Sequence, residues 1–182
     1  MEGTIMEKML KTGQQVLIRE ARVSDAQALL DFFHKVNQES KNLLRENDEF
    51  KMTVEDEEKF IQSAIGSKNN CHLLLFLEDE LICSAGFHGS GLKRIKHRVS
   101  LGISVLKEHN NKGVGHAMME ALIAFAKEYG KKKMELEVRS DNYGAIHLYK
   151  KFGFEIEGVK KQGFFVDGKF VDLVEMGLMI DE

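Results

Sequence analysis

The run Leu101-Gly102-Ile103-Ser104-Val105, followed by Asn110-Asn111-Lys112-Gly113-Val114-Gly115-His116 and then by helical spacing, constrains this chain more than any other stretch. A strand that delivers a glycine-bearing loop into a helix start gathers unpaired amides at one point. Together with the helix dipole they favour an anion there. Gly113 and Gly115 let the backbone approach a ligand closely, and Lys112 adds a positive charge. A Gly-x-Gly by itself is a weak signal, more often the mark of an ordinary tight turn than of a ligand loop. The Walker loop is excluded because no Gly-Lys-Ser/Thr follows, and the dinucleotide fingerprint lacks its third glycine and its early βαβ setting. An anionic ligand of another kind is expected.

Around this loop the hydrophobic pattern predicts elements in the order β α α β β β α β α β β. Val16 to Arg19 reads as a strand, and Ser24-Asp25-Ala26-Gln27 reads as a capping box opening a helix with Leu29, Leu30, Phe33 and Val36 on its apolar face. Thr53 caps a second helix with Glu55 to Glu58 in its first turn and Phe60, Ile61, Ala64 and Ile65 facing inward. His72 to Leu77 and Leu81 to Phe87 form a hairpin, and Val99 to Val105 adds a strand. A long helix from Gly113 ends at Gly130. Met134, Leu136 and Val138 then alternate with Glu135 and Glu137, Asn142 to Phe152 is helical, and Phe154 to Val166 pairs with Lys169 to Ile180 around Asp167-Gly168. No repeat or linker divides the chain, so 15–182 is read as one domain preceded by a tail over 1–14.

A chain of 182 residues with 43% hydrophobic content has material for one core. Its formal charge of −3 and pI near 6.2 argue against a nucleic-acid partner. No run approaches the roughly 18 apolar residues of a membrane span, and Met1 to Gln15 lacks the apolar centre of a signal peptide, so a cytoplasmic place is expected. Cys71 and Cys83 stand in no metal-ligand spacing, and neither a disulfide nor a metal site is expected.

Asn142-Tyr143-Gly144-Ala145-Ile146-His147-Leu148-Tyr149-Lys150-Lys151-Phe152-Gly153-Phe154 resembles the coenzyme A-binding signature of the GNAT superfamily of N-acetyltransferases. The Asn110 to His116 loop is similar to that family's Gln/Arg-x-x-Gly-x-Gly/Ala, with Asn110 in place of the usual Gln or Arg. Arg19-Glu20-Ala21-Arg22 with Ser24-Asp25, and Gly163-Phe164-Phe165 with Asp167 to Phe170 and Asp172, look like the branch containing ribosomal-protein N-terminal and polyamine acetyltransferases.

The resemblance implies an α/β (α+β) GNAT fold, with a mixed, mostly antiparallel sheet of about seven strands and four helices. It implies acetyl-coenzyme A as cosubstrate, a primary amine as acceptor, and a homodimer. It also implies residue roles. The pyrophosphate lies on the amides of Asn110, Asn111, Lys112, Gly113, Val114, Gly115 and His116. The pantetheine arm lies against the strand near Ile103 and Val105 and meets Asn142, and the Tyr149 hydroxyl meets the thioester sulfur. Two helical turns, about 10 Å at ~1.5 Å per residue, separate Asn142 from Tyr149 on one helix face, a span that an extended arm can follow.

A free strand edge at Ile103 requires the sheet to open between Val99–Val105 and Met134–Val138, as it does in that family. Tyr149 is expected to act as the general acid for the departing thiolate. Glu137, Glu135, His97 or a water chain are all open as the base, and the basic cluster Lys93, Arg94, Lys96, His97 and Arg98 reads as a solvated loop and edge strand. The alternative reading is a catalytically silent acyl-coenzyme A sensor, which has no need of a hydroxyl at the sulfur.

Overall fold

The computed structural model describes residues 5–180. Its elements run β1 (Ile5–Met9), β2 (Gln15–Glu20), α1 (Ala26–Glu39), α2 (Val54–Ala64), β3 (Asn70–Leu77), β4 (Glu80–Gly89) and β5 (Arg98–Val105). They continue α3 (Val114–Glu128), β6 (Lys133–Arg139), α4 (Tyr143–Lys151), β7 (Glu155–Val166) and β8 (Lys169–Met179). One open eight-stranded sheet has the order β1-β2-β3-β4-β5-β6-β8-β7. Every neighbouring pair is antiparallel except β5 and β6. The additional strand is β1, in the stretch read as a tail, and it pairs with β2 from Ile5↔Arg19 to Met9↔Gln15.

The helices cover both faces of the sheet. On one face Phe87 of β4 meets Tyr129 just beyond α3, with ring centroids 5.9 Å apart. On the other, His72 of β3 meets Phe60 of α2 at 5.8 Å. A strand covered on both sides needs no alternation, and Leu73, Leu74 and Leu75 are all fully buried. α3 supplies the deepest helical surface through Met118, Met119 and Leu122. It ends in a Schellman motif: Gly130 takes φ +69°, its amide donates to the Lys127 carbonyl, and the Lys131 amide donates to the Ala126 carbonyl. Asp167 and Gly168 both take positive φ at the β7–β8 turn, as the sequence implies.

Local details correct the sequence reading. The start of α1 is organised by Asp25, which accepts from the Arg22 amide at 2.7 Å and pairs with the Arg19 guanidinium at 2.7 and 2.8 Å, not by a Ser24–Gln27 box. Thr53 does cap α2, in reciprocal bonds with Asp56. Its inward face, however, carries Ile61 and Glu57, while Phe60 and Ile65 are exposed. The dipole account of Glu55 to Glu58 is therefore incomplete for Glu57, which is only 2% exposed and whose carboxyl burial pushes up.

Candidate active site

The parallel ladder between β5 and β6 is short. It holds Arg98↔Lys133, Val99↔Met134 and Ser100↔Glu135, and then stops. β5 continues paired only to β4 as far as Cys83↔Val105, and β6 only to β8 as far as Arg139↔Leu173. The two strands therefore part after Ser100, as the resemblance implies. From Leu101 onward β5 has backbone groups on that side without a strand partner. Such groups need a substitute, which water or an extended ligand supplies. The wedge opens into a cleft of about 1550 Å³ lined by Gly102, Ile103, Ser104 and Val105 on one side and by Glu137, Val138 and Arg139 on the other.

At the end of β5 the chain makes a single 3₁₀ turn, Lys107–His109, and reaches α3 through Asn111 at φ 60° and Gly113 at φ 94°. Gly113 is the N-cap of α3 and brings no capping side chain, and the first bond across this end runs from the Ala117 amide to the Gly113 carbonyl at 3.0 Å. The amides of Val114, Gly115 and His116 accordingly have no acceptor among the described residues. An anion can fill that position. Gly115 has a second reason to be glycine: a Cβ there would lie 3.1 Å from Leu148 Cδ2, so it sets the approach of α4 to α3.

Of the residues proposed from the sequence, Ile103, Val105, Asn110, Asn111, Gly113, Gly115, His116, Asn142 and Tyr149 line this one cleft. Lys112 and Val114 do not line it; the Val114 side chain is buried in the core. His116 packs its ring on Phe152 at 4.7 Å.

α4 brings the last two together. Asn142 is its N-cap, and the side-chain oxygen accepts from the Ala145 amide at 3.3 Å, leaving the amide nitrogen as the group that can face a ligand. Tyr149 is 7% exposed, lies 5.8 Å from the ring of Phe154, and its hydroxyl makes no hydrogen bond among the described residues. Burial, with a smaller contribution from Cys83, pushes its phenol up to about 12. The hydroxyl therefore keeps its proton throughout the neutral range and remains a donor.

The side chains proposed as bases fall in different places, with Glu137 alone of the three lining the cleft. Glu135 is paired with Arg98 at 2.6 Å, and Glu137 with Lys160. His97 is exposed on the loop before β5, where its carbonyl accepts from the Lys132 and Lys133 amides. Lys93, Arg94, Lys96, His97 and Arg98 do not line the cleft; the first four lie on the exposed loop, while Arg98 opens β5, which is an interior strand of the sheet and not an edge.

Several cleft residues escaped the sequence reading. The connection after α1 is tethered over the cleft by Arg139, which donates to the Lys41 carbonyl, and by Lys41 paired with Asp167. Phe164 enters from β7 beyond an irregularity in the β7–β8 register between Lys160 and Phe164, the kind of bulge that re-aims a side chain. His72 Nε2 lies 2.9 Å from Ser84 Oγ, and burial pulls the imidazole down to about 4, so the ring is neutral. A lone histidine inside an apolar strand gives no signal of this kind in sequence. Lys11, at the tip of the β1–β2 hairpin, also lines the cleft.

The profile of the acetyltransferase (GNAT) family matches residues 30–154. The crystal structure of the acetyltransferase of GNAT family from Streptococcus pneumoniae is 33% identical, covers 91% of this chain and 99% of that one, and superposes with a TM-score of 0.88. The structure of yncA, a putative acetyltransferase from Salmonella typhimurium with its cofactor acetyl-CoA, has the same fold at 20% identity, covering 92% and 95% of the two chains with a TM-score of 0.81. An N-alpha-acetyltransferase from Sulfurisphaera tokodaii is 29% identical over 164 residues, 87% of this chain and 91% of that protein. For the first curated relatives the match is shorter, and the chain spans about half of their length. With the profile covering most of the chain and the fold matching along nearly all of it, this chain belongs to the GNAT family of acetyltransferases.

Proposed function

We propose that this chain transfers an acetyl group from acetyl-coenzyme A to a primary amine by direct attack, with both substrates bound at once. The observation that carries the reading is the convergence on one cleft of three features: the unpaired edge of β5, the glycine-capped start of α3 and the buried Tyr149. The amides of Val114, Gly115 and His116 suit a pyrophosphate, the edge near Ile103 and Val105 suits the amide-bearing pantetheine arm, and Asn142 and Tyr149 follow along the same line. The family's acetyl-coenzyme A fits the donors that are present. The Salmonella structure that holds this cosubstrate has the same fold, and the Sulfurisphaera relative is named for acetylating α-amines.

In the reaction the amine nitrogen attacks the acetyl carbonyl, the C–N bond forms and the C–S bond breaks. The nitrogen loses a proton and the thiolate gains one. A backbone amide of β5 polarises the carbonyl, as preorganised donors do in an oxyanion hole. Tyr149 faces the leaving sulfur. In place of the proton transfer that the resemblance implies, Tyr149 stabilises the thiolate through a hydrogen bond, because burial leaves its phenol a weaker acid than an ordinary thiol near 8.5, and the ammonium or water supplies the proton. A thermal melt with acetyl-coenzyme A tests the binding step. A native-state ligand raises the melting temperature, and no change at saturating concentration contradicts the reading.

We also propose a homodimer built on the β7–β8 hairpin. β7 is a sheet edge, and Ile156, Phe165 and Phe170 are 51%, 64% and 61% exposed. Light scattering is expected to give twice the chain mass of 20.7 kDa, and a mass of 20.7 kDa at micromolar concentration contradicts it. No helix among the described residues is long and apolar enough to cross a membrane. Two buried, unpaired cysteines support a reduced, cytoplasmic setting.

A further inference from the structure

We propose that Lys11 pairs with the pyrophosphate of coenzyme A across the start of α3, a contact that rests on the cofactor reading above and comes from outside the glycine loop. The β1–β2 turn is closed by two backbone hydrogen bonds. The Leu10 amide donates to the Gln14 carbonyl and the Gly13 amide to the Leu10 carbonyl, both at 2.9 Å, and the Leu10 side chain is 5% exposed in the core. Lys8 on β1 bonds Glu120 of α3 at 3.1 Å, which holds the hairpin against that helix. Lys11 follows directly and lies on Gly113: a Cβ on that glycine would stand 3.4 Å from Lys11 Cγ and 3.5 Å from Lys11 N.

The lysine stem thus stands where a side chain on Gly113 would reach, beside the N-cap of a helix whose first three amides lack acceptors. Lys11 has no carboxylate partner among the described residues, and it shares the cleft with Gly113, Gly115 and His116. The cation that the sequence assigned to this place, Lys112, lies outside the cleft. Neutral amides orient a pyrophosphate but leave its charge uncompensated, and one ammonium on a flexible stem supplies what they lack. The hairpin serves as a clamp on the phosphate end of the cofactor, and the loop's contact set is incomplete without it.

Calorimetric titration with coenzyme A and with dephospho-coenzyme A tests this on the full chain. Lys11→Met keeps the stem and removes the charge. It is expected to weaken both ligands about tenfold, the scale of one exposed charge-assisted contact, and to flatten the fall of affinity with added salt. Lys11→Arg is expected to keep most of the affinity. Lys11→Met binding coenzyme A as tightly as the parent overturns the proposal. A loss seen with coenzyme A and absent with dephospho-coenzyme A overturns it as well, because the contact then belongs to the 3′-phosphate. If the parent chain binds neither ligand, the cofactor reading fails and takes the Lys11 contact with it.

Discussion

Tyr149→Phe is expected to lower turnover on a good amine acceptor by on the order of 10²-fold, about 2.7 kcal/mol of transition-state stabilisation, while the affinity for acetyl-coenzyme A barely moves. The substitution keeps the ring that packs at 5.8 Å from Phe154 and removes only the hydroxyl. That hydroxyl has no partner among the described residues, so its loss leaves no buried group unsatisfied and the fold stays intact. Its work is done on charge that exists only as the C–S bond breaks, and an interaction made in the transition state appears in the rate constant before it appears in binding.

The pH profile is part of the same expectation. With the phenol held up at about 12, the donor is protonated at every pH where the protein is handled, and the profile rises with deprotonation of the acceptor amine without a falling limb from Tyr149. Full turnover in the variant, under conditions where chemistry limits the rate, returns Tyr149 to a packing role.

Gly113→Asp is expected to weaken coenzyme A binding by on the order of 10²-fold. Gly113 stands at φ 94° at the mouth of the amide cluster, with Lys11 Cγ 3.4 Å from the place a Cβ would take. Aspartate tolerates the left-handed region better than most residues, so the cost to folding is about 1 kcal/mol, while its carboxylate occupies the space and repels the phosphates. Calorimetry reads the affinity, and a denaturant titration reads the stability separately. Parent-like binding shows that the pyrophosphate lies elsewhere.

The loop and the helix that carry these two residues were legible because their signals are local. Gly113 and Gly115 before an apolar helix, and the Asn142 to Phe154 signature, need no partner to be read. Lys11 was not legible. The strand that leads to it alternates Ile5, Glu7 and Met9 with Met6 and Lys8, too weakly apolar on either face to stand out at a sheet edge. Its position against Gly113 arises only when β1 pairs with β2 and Lys8 bonds Glu120.

Lys112, adjacent in sequence to Gly113, does not line the cleft, for a related reason. Adjacency along a turn does not fix the direction of a side chain. Glu57 in the core and His72 at the cleft illustrate the same limit, since tertiary packing takes from solvent polar groups that helix dipole and strand propensity alone place there or leave unremarked. The parting of β5 and β6 after Ser100 came from the family resemblance, since nothing in Val99 to Val105 or Met134 to Val138 says where a parallel ladder ends.

The proposal of acetyl transfer stands or falls on free thiol. With acetyl-coenzyme A present, release of coenzyme A followed over a panel of peptide N-termini, polyamines, amino sugars and amino acids is predicted to stay at the background rate without an amine. At least one class is predicted to raise it severalfold, with a matching N-acetylated product by mass. Thiol release no faster than background with every class, from a chain that binds acetyl-coenzyme A, would contradict the proposal.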